Sequence, residues 1–235
     1  MQNIKLSGLV IRVIHYQETS EIVHLLTQNG TISIMCKGAR KLKSRKLSFC
    51  IPLTLVDCII TDSTTPNLVD YTIVNNLDYI KEDLVKNLWF NFFLEILNNI
   101  PPNTYYKNIY NLILRLLDLA KFYNPILLVT IGLIKLLKIY GVEPNFKSCV
   151  VCNSQNIQFF SISCGGCQCI NHTSTDSENL ANYDIIKELY YLDIYNNNLD
   201  KYINLDYKKI FDMVKKYYEY HVDINLRHSN SLIFK

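Results

Sequence analysis

The first 75 residues alternate apolar and polar positions in short runs, the pattern of half-buried β-strands. In one run, Ile32, Ile34 and Cys36 fall on the same face. The Asn29-Gly30 pair favours a tight hairpin between the second and third runs, because these residues accept positive φ angles. Five strands are predicted, over residues 6–16, 21–27, 31–36, 53–61 and 68–74. So many short strands in so little chain predict a small closed β-barrel.

From residue 77 onward the hydrophobic period changes from about 2 to about 3.6 residues, which indicates helices. A first apolar stripe consists of Val85, Leu88, Trp89, Phe92, Phe93 and Ile96. Pro101-Pro102 is expected to end that helix. A second stripe consists of Ile109, Ile113, Leu116, Leu117 and Ala120.

A third helix begins near Asn124-Pro125 and is apolar nearly all round to Leu137, so we expect it to form the centre of the helical part. Gly141 and Pro144 end it. Residues beyond this point first lose their periodicity, over 145–172, and then become rich in Ser, Thr and Asn, over a predicted linker at 171–182. Two last helices are predicted over residues 183–194 and 206–222.

These elements predict an α+β protein in two parts. The first is a five-stranded β-barrel domain over residues 1–78, and the second is a helical domain over residues 79–235. A small cysteine-rich module, at about residues 146–173, is inserted in the helical domain.

Positive charge is concentrated in residues 37–46, hereafter the basic segment. The formal net charge is only +3, yet six of the eight Lys and Arg residues in residues 1–78 lie here. No Asp or Glu occurs from residue 22 to residue 56, so no carboxylate nearby in the sequence neutralises them. Such a cluster suits a polyanion; the alternative is a solvated loop. Its basic residues are Lys37, Arg40, Lys41, Lys43, Arg45 and Lys46.

No signal peptide is expected in residues 1–9, and the longest apolar stretch, residues 125–140, is interrupted by two lysines. We therefore expect a cytoplasmic protein without a membrane partner. A reducing compartment keeps thiols free, so the eight cysteines need an explanation other than disulfides.

Five of the eight cysteines fall between Cys149 and Cys169, which points to a metal. Cys149 and Cys152 form a CxxC, the usual first half of a structural zinc site. The alternative is that these cysteines are merely small buried residues. Spacing alone leaves the second half open between two pairs, the CxxC of Cys164 with Cys167 and the CxxH of Cys169 with His172.

A structural site is favoured over a catalytic one, because four protein ligands leave no open position for water or substrate. A zinc deaminase requires an H-x-E element before P-C-x-x-C. None of the five His residues is followed two positions later by Glu, and residue 148 is Ser. A zinc hydrolase would need a solvent-open metal. The GxxxxGK[ST] phosphate loop of an NTP-driven motor is absent as well.

Several motifs occur together in a recognisable order. The N-terminal ones are YQETSEIVHLLT at residues 16–27, then Gly30, Lys37-Gly38-Ala39-Arg40 and Ser44-Arg45. In the cysteine region they are Phe160-Ser161, Gly165-Gly166, Cys169 and His172. In this order and spacing the chain resembles the RecO family of bacterial recombination mediators, over its whole length.

The resemblance implies an N-terminal OB fold and a helical C-terminal domain with a zinc module. It implies a non-enzymatic role in DNA repair and in recombination by the RecF pathway, near the nucleoid. The implied activities are sequence-independent binding of single- and double-stranded DNA, annealing of complementary strands, and help in loading RecA onto coated single strands. The implied partners are RecR and single-strand-binding protein.

The resemblance also favours one ligand set for zinc: Cys149, Cys152, Cys169 and His172, with His172 in place of the usual fourth cysteine. Cys164 and Cys167 stay as alternates. For DNA, we expect contacts from the six basic residues of the basic segment, with help from Arg12. The alternative function is a zinc-stabilised protein adaptor with only incidental affinity for nucleic acid.

Overall fold

The structure, a computed structural model, describes residues 3–100, 106–196, 198–222 and 232–234. The chain divides into two compact units. One contains residues 1–99 with 103–114, and the other contains residues 100–102 with 115–235. The domain boundary expected after residue 78 stays a prediction.

Five antiparallel strands form the sheet of the first unit, in the order β3-β2-β1-β4-β5. Met35, in one edge strand, pairs in parallel with Asn67, which precedes the other edge strand. The Met35 N–H donates to the carbonyl of Pro66 at 2.8 Å, which closes the sheet into a ring. This five-stranded barrel is of the OB type, and the prediction of five strands is confirmed. The strands are β1 (Asn3–Tyr16), β2 (Ser20–Thr27), β3 (Gly30–Cys36), β4 (Thr54–Thr61) and β5 (Leu68–Asn75).

The hairpin between β2 and β3 lies where it was predicted, although its turn differs in detail. Thr27 pairs with Gly30, so the two loop residues are Gln28 and Asn29. The positive φ, 140°, belongs to Gly30 and not to Asn29. The Thr27 hydroxyl stabilises this turn, because it donates to the Gly30 carbonyl at 2.8 Å and accepts from the Asn29 N–H at 3.2 Å.

Apolar side chains from all five strands fill the barrel. Strand β1 pairs with β2 on one side and with β4 on the other. Its pairing with β2 shifts register between Val10 and Arg12, which lets the long strand bend. Gly8 allows the two strands to approach closely, since a Cβ there would lie 2.6 Å from the Leu26 carbonyl oxygen. The fully buried members of the core include Val10, Val23, Leu25, Ile34, Ala39, Phe49 and Ile60.

Six α-helices are present in the described residues, and the five longer ones confirm the predicted helices. Asp83, Asn124 and Asp206 cap three of them by accepting hydrogen bonds from first-turn N–H groups. The expected stop at Pro101-Pro102 lies outside the described residues. The helices are α1 (Asp78–Lys81), α2 (Leu84–Leu97), α3 (Tyr106–Leu119), α4 (Pro125–Ile139), α5 (Asp184–Tyr191) and α6 (Tyr207–His221).

Helix α4 is the centre of the second unit, as its composition predicted. Twelve of its fifteen residues are buried, and it packs against α5 and α6. The buried Tyr218 hydroxyl of α6 donates to the Leu133 carbonyl of α4 at 2.7 Å. In the described part of the chain, no helix combines the length and apolar character needed to span a membrane.

A small sheet in the order β7-β6-β8 interrupts the helices. The sequence predicted no strand here, because strands of two or three residues are too short to show a period. Part of the predicted linker belongs to β8. The strands are β6 (Phe159–Ser161), β7 (Gly166–Gln168) and β8 (Glu178–Asn179).

Candidate nucleic-acid interface and metal centre

The basic segment leaves the end of β3 as a series of tight turns. The Ala39 N–H donates to the Cys36 carbonyl at 3.2 Å, and the Lys41 N–H donates to the Gly38 carbonyl at 3.2 Å. A third turn closes where the Ser44 N–H donates to the Lys41 carbonyl at 2.8 Å. The segment then enters a 3₁₀ turn over Arg45–Phe49. Its backbone is therefore fixed by local hydrogen bonds.

The barrel holds the segment from two sides. On one side, the carbonyl of Thr19, in the turn between β1 and β2, accepts from the Arg40 N–H at 2.9 Å. The hydroxyl of Ser20, the first residue of β2, accepts from the Gly38 N–H at 3.3 Å. On the other side, the Tyr71 hydroxyl of β5 donates to the Arg45 carbonyl. Buried side chains at Ala39 and Phe49 seat the segment on the core. The basic side chains of the segment thus extend from an ordered backbone.

Five of the six basic side chains are exposed, and Lys46 is half-buried. The Lys46 ammonium donates to the Lys37 carbonyl at 3.4 Å. No ion pair between these six residues and a carboxylate occurs in the described residues. Glu21 is buried and directs Oε1 to His15 Nδ1 at 3.1 Å, so it does not reach them. The charges of the five exposed residues therefore face solvent without an ion-pair partner among the described residues.

Arg12 lies on the outer face of β1 and is exposed. It is paired in register with His24 of β2. Partial burial and the positive charge of Arg12 lower the pKa of His24, so this imidazole is neutral at neutral pH. Arg12 is accordingly the cation of the pair.

Two cysteines mark the ends of the basic segment, Cys36 before it and Cys50 shortly after it. Both are buried in the barrel core. Contact with the Cys36 thiol and burial raise the pKa of Cys50. The Cys50 thiol is therefore protonated at neutral pH, and both side chains belong to the core.

In the second unit, Cys149, Cys152, Cys169 and His172 converge, and their ligand atoms all lie within 4.8 Å of one another. Cys152 Sγ lies 3.8 Å from Cys169 Sγ, and Cys169 Sγ lies 3.2 Å from His172 Nδ1. Tetrahedral zinc with bonds of about 2.0–2.3 Å separates its sulfur and nitrogen ligands by roughly 3.4–3.8 Å. These four side chains could hold a metal ion, and their soft donor set fits zinc.

Two short elements position these ligands. The first pair stands on a turn in which the Cys149 N–H donates to the Ser154 carbonyl at 2.8 Å and Asn153 adopts a φ of 60°. In the second pair, Cys169 precedes a 3₁₀ turn of which His172 is the last residue, and the His172 N–H donates to the Cys169 carbonyl at 3.0 Å. Burial disfavours the Cys149 thiolate, but N–H groups of Cys152, Cys169 and Val151 lower the pKa of Cys149 to about 6. At Cys149, therefore, the ionised form that binds metal is favoured.

The sheet joins the two ligand pairs. The Val150 N–H donates to the Cys167 carbonyl at 2.9 Å, and the Cys167 N–H donates to the Asn145 carbonyl at 2.8 Å. Gly166 makes this approach possible, because a Cβ on Gly166 would lie 2.7 Å from the Asn145 oxygen. Spacing in the sequence did not reveal the part played by Asn145.

The two alternate ligands lie outside the cluster. Cys164 is exposed and accepts from the Gln168 side-chain amide at 3.4 Å. Cys167 is buried, and burial raises its pKa to about 11. The structure thus brings together the ligand set that the resemblance favoured. Within the described residues, no second group of three or more Cys, His, Asp or Glu side chains converges in this way.

Asp176, which the sequence placed in a linker, organises the loop beside Cys164. Its carboxylate accepts from the Ser161 hydroxyl at 2.8 Å, the Ser163 hydroxyl at 2.7 Å and the Ser174 hydroxyl at 2.8 Å. Burial opposes ionisation, yet these bonds and the Ser163 N–H hold the pKa of Asp176 well below its usual range. A lone Asp among serines gives no pattern from which this role could have been read.

These observations define an α+β protein in which an OB-type barrel displays a basic segment and a helical part carries a Cys₃His cluster. Two family profiles match the chain, one described as "Recombination protein O N terminal" over residues 1–80 and one described as "Recombination protein O C terminal" over residues 81–230.

Relatives named "DNA repair protein RecO" are similar over much of their length. The chain is 32% identical over 181 residues to the protein of Bacillus pumilus (strain SAFR-032), which covers 74% of this chain and 70% of the relative. It is 26% identical over 236 residues to that of Bacillus cytotoxicus, which covers 95% and 94%. The chain belongs to the RecO family, a family of DNA repair and recombination proteins.

Proposed function

We propose that this protein is a non-enzymatic mediator of DNA repair and homologous recombination. It binds single- and double-stranded DNA without reading the sequence, anneals complementary strands, and helps load RecA onto strands coated with single-strand-binding protein, together with RecR. Family membership supports the repair role. The observation that carries the DNA-binding step is the set of exposed cations of the basic segment, which have no carboxylate partner among the described residues.

Binding follows from charge. Lys37, Arg40, Lys41, Lys43, Arg45 and Lys46, with Arg12, displace counterions condensed on the phosphates, so affinity is sequence-independent and falls with salt. Two strands held on the same cationic surface repel each other less, which promotes annealing without nucleotide hydrolysis. Because the turns of the segment are already hydrogen-bonded, little backbone order has to be acquired on binding.

The first test replaces Lys37 and Arg40 by Ala and measures binding of a labelled single-stranded oligonucleotide against salt. Each lost phosphate contact lowers the slope of log affinity against log salt by about 0.7, so the double variant should lose about 1.4. The control is Lys107→Ala with Lys138→Ala, which removes the same charge from two other exposed positions. A slope equal to that of the wild type in the Lys37/Arg40 variant would reject the assignment.

We further propose that Cys149, Cys152, Cys169 and His172 hold a structural Zn²⁺. When bound, the ion cross-links the turn after residue 148 to the 3₁₀ turn Ile170–His172 and stabilises both. The three thiolates and one imidazole leave no position for substrate, so the metal serves folding rather than catalysis.

A further inference from the structure

Leu42 has the most exposed of the large hydrophobic side chains that the structure describes, with a relative accessibility of 106%. It stands between Lys41 and Lys43, both exposed. An isolated exposed leucine on a surface needs no explanation. This one stands at the tip of the basic segment, among the cations to which the proposed function assigns DNA binding.

The backbone holds Leu42 in this position. Leu42 and Lys43 are the two central residues of the turn that the Ser44 N–H closes on the Lys41 carbonyl at 2.8 Å. Central residues of such a turn point away from the chain that enters and leaves it. The base of the loop is fixed by the Arg40 N–H bond to Thr19 at 2.9 Å. Leu42 is therefore presented outward on an ordered loop.

Two further apolar side chains follow in the chain. Leu47 is 55% exposed and Ile51 is 39% exposed, in and just beyond the 3₁₀ turn Arg45–Phe49. The exposed surface of this region thus combines ammonium and guanidinium groups with aliphatic groups. A partner that matches both must offer closely spaced anions and, within reach of a short side chain, an apolar surface.

We propose that Leu42 is a wedge that enters between neighbouring bases of a DNA strand while the flanking lysines hold its phosphates. This inference rests on the proposed function and adds a contact to it. Leucine is among the side chains that proteins insert between base steps, where it partly unstacks them. A single strand or a duplex end yields most easily, because fewer pairing and stacking interactions oppose the insertion. Unstacked bases are also the form from which new pairs are made, so the wedge would prepare a strand for annealing.

The experiment uses single-stranded oligonucleotides containing 2-aminopurine, whose fluorescence rises when its neighbours unstack. Wild-type protein should raise this fluorescence on binding. Leu42→Ala should bind about three- to tenfold more weakly, from the loss of one buried aliphatic group, with an unchanged salt slope and little fluorescence rise. Leu42→Phe should retain the rise. Leu84→Ala is the matched control, since Leu84 is 66% exposed at the start of α2, outside the basic segment.

Each outcome decides one question. Wild-type protein that fails to bind the oligonucleotide overturns the proposed function itself. Wild-type protein that binds while Leu42→Ala reproduces its affinity and fluorescence overturns only the wedge. Vesicles containing phosphatidylserine form the last arm: if Leu42→Ala loses vesicle binding but keeps the DNA signal, the side chain serves a lipid surface and the wedge is wrong. Superimposable thermal unfolding curves would establish that the variants are folded.

Discussion

At the scale of single residues, Lys135 shows how a charged side chain is used inside the helical unit. Its ammonium donates to the carbonyls of Tyr190 at 2.6 Å and Leu192 at 2.7 Å, at the C-terminal end of α5. Burial lowers the pKa of Lys135 to about 8, and the nearby Asp193 carboxylate opposes the shift. Lys135 thus links α4 to the end of α5 by hydrogen bonds, although burial disfavours its charged form.

A pH dependence follows. The ordinary lysine pKa is 10.5, so between about pH 8 and 10.5 the unfolded chain binds more protons at this position than the folded one. The free energy of unfolding contributed by Lys135 therefore rises with pH across that window. Lys135→Met removes the titration. Urea unfolding of both proteins should show the stability of the wild type gaining on that of the variant from pH 8 upward.

The difference in stability between the wild type and Lys135→Met cancels the contributions of other titrating groups. Burial raises the pKa values of Cys167 to about 11 and Tyr183 to about 12, and such groups lower stability at alkaline pH equally in both proteins. Parallel stability curves for the wild type and Lys135→Met from pH 8 to pH 10.5 would contradict the assignment.

At the scale of elements, the metal cluster depends on pieces too short to carry periodicity. Cys169 precedes the 3₁₀ turn Ile170–His172 and His172 is its last residue, and strand β7 lies between the two ligand pairs in the chain. Cys149 and Cys169 are buried, whereas Cys152 is exposed. A metal ion bound by the cluster would therefore cross-link two loops, the turn that carries Cys149 and Cys152 and the 3₁₀ turn Ile170–His172.

Replacement of Cys169 should remove this cross-link between the two loops. In Cys169→Ser, bound zinc should fall from about one ion per chain to nearly none, with loss of stability, because three ligands hold the ion weakly and folding is linked to binding. Cys164→Ser is the matched control, since Cys164 lies outside the cluster. Metal analysis and thermal unfolding with and without a chelator provide the readout. Loss of zinc from Cys164→Ser and its retention in Cys169→Ser would reverse the ligand assignment.

The same contrast explains what the sequence could predict. Strands of seven or more residues and helices such as α4 carry enough periods to be located from pattern alone. The pair Cys149 and Cys152 was identifiable because a CxxC turn is local. The choice between Cys164–Cys167 and Cys169–His172 required the third dimension, since both pairs have suitable spacing. Leu42 gave no signal, because exposure is a property of the folded loop.

At the scale of the whole molecule, the proposed function depends on where charge is placed rather than on its amount. The net charge is +3, yet the barrel gathers six cations in one ordered segment. Under the proposed function, such a segment concentrates DNA without nucleotide hydrolysis.

This yields a prediction for annealing. The wild type should accelerate pairing of complementary oligonucleotides in the absence of nucleotide by about tenfold or more at low salt, and Lys37→Ala with Arg40→Ala should abolish most of the gain. The readout is fluorescence quenching between end-labelled strands, with Lys107→Ala and Lys138→Ala as the charge control. Acceleration that requires ATP, or that persists in the Lys37/Arg40 variant, would count against the mechanism.

The burial of Cys36 and Cys50 has a practical consequence. Thiol reagents react with thiolates that they can reach, so the exposed Cys164, which lies outside the metal cluster, should be alkylated quickly, whereas Cys36 and Cys50 should react only when the barrel opens. Because Cys58 and Cys167 are buried as well, alkylation is measured on the peptides that contain Cys36 and Cys50, where its rate reports local unfolding beneath the basic segment. If DNA binds the basic segment, a saturating oligonucleotide should slow the alkylation of Cys36 and Cys50. The alkylation rate would then measure how much of the protein is bound, without a label on the DNA.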